Sequence, residues 1–230
     1  VEDFQGWLAG GMQGIKVGFG KRGDAHLGFD HARDVEFVRK TREGIGDRRL
    51  MIDLGVKNRW DVATAIRRAR AFEDYAVHWL EEPLGHDDPE GYRALRAGTS
   101  LRLAYGEREW NHRGVERIVA SGTVDVVGLD PGRIEGITGF LKAAEICATR
   151  RRQANAHNFS TAIVSAASQA LSFACEACRE LELQPVQGPA QADLVDRPVW
   201  HTDGWVDRPT GPGLGIAVNE DLVDRARLDR

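Results

Sequence analysis

Apolar residues recur along the chain in short runs, and most runs end on an ionisable residue. LMID ends at Asp53, HWLE at Glu81, RLAYGE at Glu107, VDVVGLD at Asp130 and RQANAH at His157. MQGIKVGFG holds Lys16, and LELQPV holds Glu182. These seven segments read as strands. VDVVGL is apolar at successive positions, as expected for a parallel strand covered on both faces. Between the runs the apolar spacing lengthens to three and four, which predicts helices over residues 30–43, 59–74, 89–97, 114–120, 137–149 and 161–181. In VATAIRRARAF this spacing puts Val62, Ile66 and Ala69 on one face and the arginines on the other, as an amphipathic outer helix would. Regular alternation of strand and helix argues for the α/β class.

The acids Asp53, Glu81 and Glu107 follow one another at intervals of about 28 and 26 residues, close to one strand–helix unit. Strand ends of successive units converge on one face of a parallel barrel. Three carboxylates meeting there repel one another unless a cation lies between them. All-oxygen ligation suits a hard divalent ion, Mg²⁺ first and Mn²⁺ second. Asp53, Glu81 and Glu107 are therefore the candidate metal ligands. Taken singly, each is an ordinary strand-end residue, and Asp130 before Pro131 and Gly132 is also a turn signal.

Bulk composition narrows the partners. The 230 residues suffice for one α/β barrel, and the net charge of −4 gives no reason to expect a nucleic-acid partner. No apolar run approaches the ~20 residues of a membrane span. The opening VEDFQGWLAGG is helix-like and lacks the basic and apolar regions of a signal peptide. Three cysteines, an odd number, suit a reducing, cytoplasmic setting. Cys175 and Cys178 form a lone CxxC expected inside the last helix, packed in its core.

The motifs GIKVGFG, MIDLG, WLEEPL, GERE, VDVVGLDPGRIEGIT, AHNFSTAI, LELQP and PGLGI, in this order, resemble the mandelate racemase and muconate-lactonizing enzyme group of the enolase superfamily. The resemblance implies a TIM-type (β/α)7β barrel, of which a first strand and an N-terminal capping domain are expected to be missing here. The barrel is expected over residues 1–190 and an irregular closing segment over 191–230. It further implies that Asp53, Glu81 and Glu107 are the metal ligands and that Glu82 stands behind Glu81. His157 and Asp130 match the family's His–Asp dyad, with the aspartate fixing the basic tautomer. Glu182 matches the acid that hydrogen-bonds the substrate carboxylate. Arg108, after the third ligand, is a candidate substrate contact or ion-pair partner.

Two departures bear on the reaction. The family often places Lys-x-Lys on the strand that holds Lys16, with the second lysine as an opposite-face base; here glycines, Gly14 and Gly18, flank Lys16 at that spacing. Gly55 stands where many relatives have asparagine. With one confident base, α-proton removal followed by β-hydroxide loss from one face is favoured. The resemblance thus implies a Mg²⁺-dependent acid-sugar dehydratase acting on a small-molecule carboxylate, with relatives that are commonly homo-oligomers. A racemase or epimerase is the first alternative, and a catalytically inactive or truncated relative is the second.

Overall fold

Short side chains start most of the helices. Asp30 accepts a hydrogen bond from the N–H of Arg33, Asp61 from Thr64, Asp88 from Gly91 and Thr161 from Val164, each satisfying a first-turn donor. The computed structural model describes residues 2–20, 26–55, 60–184 and 188–228. In chain order it has α1 (Glu2–Ala9), β1 (Gly14–Gly18), α2 (His31–Ile45), β2 (Arg49–Asp53) and α3 (Val62–Glu73). Then follow β3 (Trp79–Glu81), α4 (Pro89–Gly98), β4 (Leu103–Tyr105), α5 (His112–Ser121) and β5 (Val126–Leu129). The remainder comprises α6 (Gly136–Thr149), β6 (Gln153–Ala156), α7 (Ala162–Ala174), β7 (Cys178–Leu181), α8 (Pro189–Ala192) and α9 (Glu220–Ala226). Among the described residues seven strands run in sheet order β1 to β7, with the strand–helix alternation expected from the apolar runs and the TIM-type α/β order that the resemblance implies.

The chain divides into two compact units. The first comprises Val1–Tyr105, Ala120–Val126 and Thr202–Trp205. In it β1 to β4 pair in parallel, with Gly18 opposite Asp53 and Asp53 opposite Glu81. Trp79, Ala104 and Val126 form one buried cluster, with Met51 packed against it. On the helix side Phe19 meets Phe37 and Phe72 edge to face. The second unit comprises Gly106–Val119, Val127–His201 and Val206–Arg230. In it β6 pairs in parallel with β7, with an irregularity between Ala154 and Ala156. Its buried side chains include Leu129, Phe140, Ala143 and Cys147.

Several expectations need correction. The helix expected through residue 181 stops at Ala174, because Cys175 is extended (φ −115°, ψ 117°) and residues 175–178 turn instead. The strand expected over LELQPV lies earlier, at Cys178–Leu181, so Glu182 falls just past its end. Cys178 is consequently on a strand, not in a helix core. The closing segment expected to be ordered but irregular (191–230) holds the end of the short helix α8 and the helix α9. The expected helix start at Arg59, the first part of the loop after Lys16 (residues 21–25) and Pro185–Val186 lie outside the described residues.

Arg68 also departs from the expected outer face of α3. It is 3% exposed, and its Nε donates to Asp34 Oδ2 at 2.7 Å, with Asp34 fully buried. The guanidinium also lies 4.8 Å from the centroid of the Trp60 ring, and Asp34 Oδ1 accepts the N–H of Gly28 at 2.7 Å. A charge beside apolar residues is tolerated only when it is paired and hydrogen-bonded. Asp34→Ala would leave Arg68 buried and uncompensated. It is expected to cost about 3–5 kcal/mol in urea denaturation. A change below about 1 kcal/mol would show that the pair is solvated.

Candidate active site

The parallel register places the candidate residues of the first unit. Gly18, Asp53 and Glu81 stand in one cross-strand row, so the last residues of β2 and β3 are direct neighbours. Lys16 lies two residues before Gly18 and shares its face of β1. Its Nζ donates to both oxygens of Glu81, at 3.1 and 3.0 Å, and sits 3.6 Å from Asp53 Oδ2. Trp79, two residues before Glu81, donates its indole N–H to Glu81 Oε2 at 3.1 Å. Asp53 Oδ1 accepts the N–H of Gly55 at 2.8 Å. Gly55 has φ +57°, a region that glycine adopts freely and asparagine tolerates. The glycine-for-asparagine departure at this position therefore needs no change of backbone. Glu82 is buried and has φ +45°, an uncommon conformation for a side-chain-bearing residue, and its N–H donates to Ala104 O at 3.0 Å.

The chemistry of this pair fits a hard divalent cation. Both donors are carboxylates, and their oxygens converge on one positive centre, the Lys16 ammonium. Among the described residues, no group of three or more His, Cys, Asp or Glu side chains is disposed as a metal cluster. The third candidate ligand, Glu107, belongs to the second unit.

In the second unit, Glu107, Asp130 and His157 come together. Glu107 follows Gly106, whose φ is +126° and whose missing side chain leaves room for Val127; a Cβ there would lie 2.9 Å from Val127 Cγ1. His157 follows the last residue of β6, and its N–H donates to Leu129 O at 2.9 Å, which ties it to the end of β5. Asp130 follows β5. Its Oδ1 accepts the N–H of Gly132 at 2.7 Å, making the turn, while Oδ2 lies 2.9 Å from His157 Nδ1. It is thus both the turn residue and the histidine's partner. The other ring nitrogen, Nε2, lies 3.0 Å from Glu107 Oε2. Phe159 stacks on the imidazole, with ring centroids 5.6 Å apart.

Two arginines complete the charge balance. Arg133 Nη1 donates to Glu107 O at 3.0 Å and lies 3.4 Å from Glu107 Oε1, and its Nε is 3.5 Å from Asp130 Oδ2. Arg108 Nη2 is 3.4 Å from Glu107 Oε1, which makes it an ion-pair partner of that carboxylate. Glu182 accepts, through its backbone carbonyl, a hydrogen bond from Asn158 Nδ2 at 3.2 Å. Burial opposes charging His157. The hydrogen bonds to Asp130 and Glu107, with the nearby charge of Glu182, outweigh it and raise the imidazole from 6.5 to about 10.

The sequence profile of enolase C-terminal domain-like proteins matches residues 1–222. The chain belongs to that family. In sequence it is 32% identical over 200 residues to D-gluconate dehydratase of Thermoproteus tenax, covering 86% of this chain and 40% of that protein. It is 33% identical over 148 residues to L-talarate/galactarate dehydratase of Salmonella typhimurium, covering 64% of this chain and 35% of that one. In structure it is similar to a mandelate racemase/muconate lactonizing enzyme from Jannaschia sp. CCS1 (TM-score 0.88, 25% identity, 100% of this chain and 60% of that one). It is also similar to the 3,6-anhydro-D-galactonate cycloisomerase from Zobellia galactanivorans (TM-score 0.87, 25% identity, 97% of this chain and 61% of that one). The chain thus spans 35–61% of the length of these relatives. Its neighbours lie in the mandelate racemase group of the enolase superfamily, the group its motifs resemble.

Within this enolase-type domain, sequence reasoning named Lys16, Asp53, Glu81, Glu107, Asp130 and His157 but missed Trp79, Arg133 and Asn158. Trp79 was readable as the i−2 neighbour of Glu81 on one strand face. Arg133 stands three residues after Asp130 in DPGR, a turn in which it can reach back to the aspartate.

A histidine whose proton is held more tightly in the folded state stabilises that state while the proton is present. The His157 contribution is therefore complete below about pH 6.5 and is lost as the pH rises towards about 10. Denaturant unfolding of the wild type and His157→Asn across that window is expected to show a stability gap that closes with rising pH. A gap independent of pH would contradict the assigned pairing.

Proposed function

We propose that this domain is the catalytic part of a Mg²⁺-dependent acid-sugar dehydratase. The observation that carries the reading is the His157–Asp130 dyad, a single well-oriented imidazole beside the carboxylate of Glu107. Similarity to the D-gluconate and L-talarate/galactarate dehydratases supports the substrate class.

Asp53, Glu81 and Glu107 would hold the Mg²⁺, with Mn²⁺ able to replace it. When bound, the ion supplies Lewis-acid compensation for a substrate carboxylate that gains negative charge. Glu107 is one of the groups that keep the proton on His157. A Glu107 carboxylate engaged as a ligand would hold that proton less strongly, which would bring the imidazole towards the neutral form a base requires. His157 Nε2 then removes the proton α to the substrate carboxylate. The C–H electron pair becomes the enolate, and this expels the β-hydroxyl group. The proton on His157 goes to the departing hydroxide, which leaves as water. The remaining enol becomes a 2-keto-3-deoxy acid. Asp130 holds Nδ1, so that proton traffic is confined to Nε2. Lys16 and Glu182 would bind the substrate carboxylate.

Dehydration leads racemisation because Gly14 and Gly18 flank Lys16 at the family's Lys-x-Lys spacing, so a second lysine that would serve as opposite-face base is missing, and Lys16 itself is given to the substrate carboxylate. A panel of sugar acids with Mg²⁺ is expected to yield a 2-keto-3-deoxy product. His157→Asn should abolish α-proton exchange in deuterated water, a loss of at least about 10²-fold. Lys16→Ala should raise KM more than it lowers kcat. Loss of exchange from one enantiomer alone in the lysine variant would instead make Lys16 the second base, and the protein a racemase.

A further inference from the structure

The three cysteines are free, and they differ in access: Cys147 is buried, whereas Cys175 and Cys178 are half-buried. Cys175 closes α7, and its N–H donates to Leu171 O at 3.0 Å. Cys178 opens β7, and its N–H donates back to Cys175 O at 3.0 Å. The four residues between these points are therefore a hydrogen-bonded β-turn with a cysteine at each end. The end Cα atoms of such a turn lie less than about 7 Å apart. A disulfide spans Cα separations of about 4.4–6.8 Å. The turn is also pinned from outside, because Ala154 donates its N–H to Ala177 O at 2.9 Å and pairs with Cys178 in the sheet.

We propose that Cys175 and Cys178 are a thiol–disulfide exchange site, which closes to an intramolecular disulfide by reaction with a low-molecular-weight disulfide such as oxidised glutathione. Cys175 is the attacking sulfur. Its thiolate accepts the hydrogen bond from Cys178, which lowers its pKa, while the same bond and burial raise that of Cys178. In the first step the Cys175 thiolate forms a bond to one sulfur of the small disulfide, whose S–S bond breaks and releases one thiolate. In the second step Cys178 gives its proton to that thiolate and attacks the Cys175 sulfur. The mixed disulfide breaks and the second small thiolate leaves, taking a proton from solvent. Two electrons pass from the protein sulfurs to the small disulfide, which ends as two thiols.

The test uses the folded chain with oxidised glutathione, followed by alkylation and non-reducing peptide mapping. A peptide lighter by two hydrogens, with Cys175 linked to Cys178 and Cys147 free, is expected. Cys178→Ser should stop at a single glutathione adduct on Cys175. The proposal is overturned if both thiols stay alkylatable in the folded protein but pair after unfolding. It is equally overturned if Cys147 enters the linkage, or if the Cys178→Ser adduct forms elsewhere.

Discussion

Carboxylates buried at strand ends must be matched by positive charge, and much of this structure answers that requirement. Glu81 and Asp130 are each 4% exposed, at positions where an unpaired charge would not be tolerated. In the first unit the match is Lys16, reaching from the middle of β1 to the ends of β2 and β3. In the second unit it is His157 with Arg133 and Arg108. The parallel register supplies the first arrangement. The glycine at 106 and the Asp130 turn supply the second.

The same requirement explains why a fold could be read so early. β3 and β5 are buried at every position and apolar up to their last residues, so the acids Glu81 and Asp130 stand at or just past the strand end, where the chain leaves the sheet. The runs ending at Asp53, Glu81, Asp130 and His157 therefore mark both the strands and the candidate site. The helix starts near Asp30, Asp88 and Thr161 were legible for a local reason, since each of these residues caps the helix that follows.

What was not legible depended on tertiary contacts. AIVSAASQALSFACEAC is rich in small residues that suit a helix at any length, and only pairing of Cys178 with Ala154 converts its end to a strand. Arg68 matches its arginine neighbours in sequence, and only Asp34, from another helix, draws it inside. Arg133 carries no signal of its own in the sequence, and only its contacts to Glu107 and Asp130 give it a place beside them. Glu107 is the reverse case: its spacing made it a candidate ligand, while its contacts also make it a control on the charge of His157.

That dual place of Glu107 links the proposed metal to the proposed base. It is tested most directly by following the His157 imidazole signals by NMR through a pH titration, with and without Mg²⁺. Without the ion the proton is expected to leave near pH 10. With saturating Mg²⁺ the titration is expected to move towards neutrality. A midpoint unmoved by Mg²⁺, under conditions where calorimetry detects ion binding, would contradict the link between these carboxylates and the base.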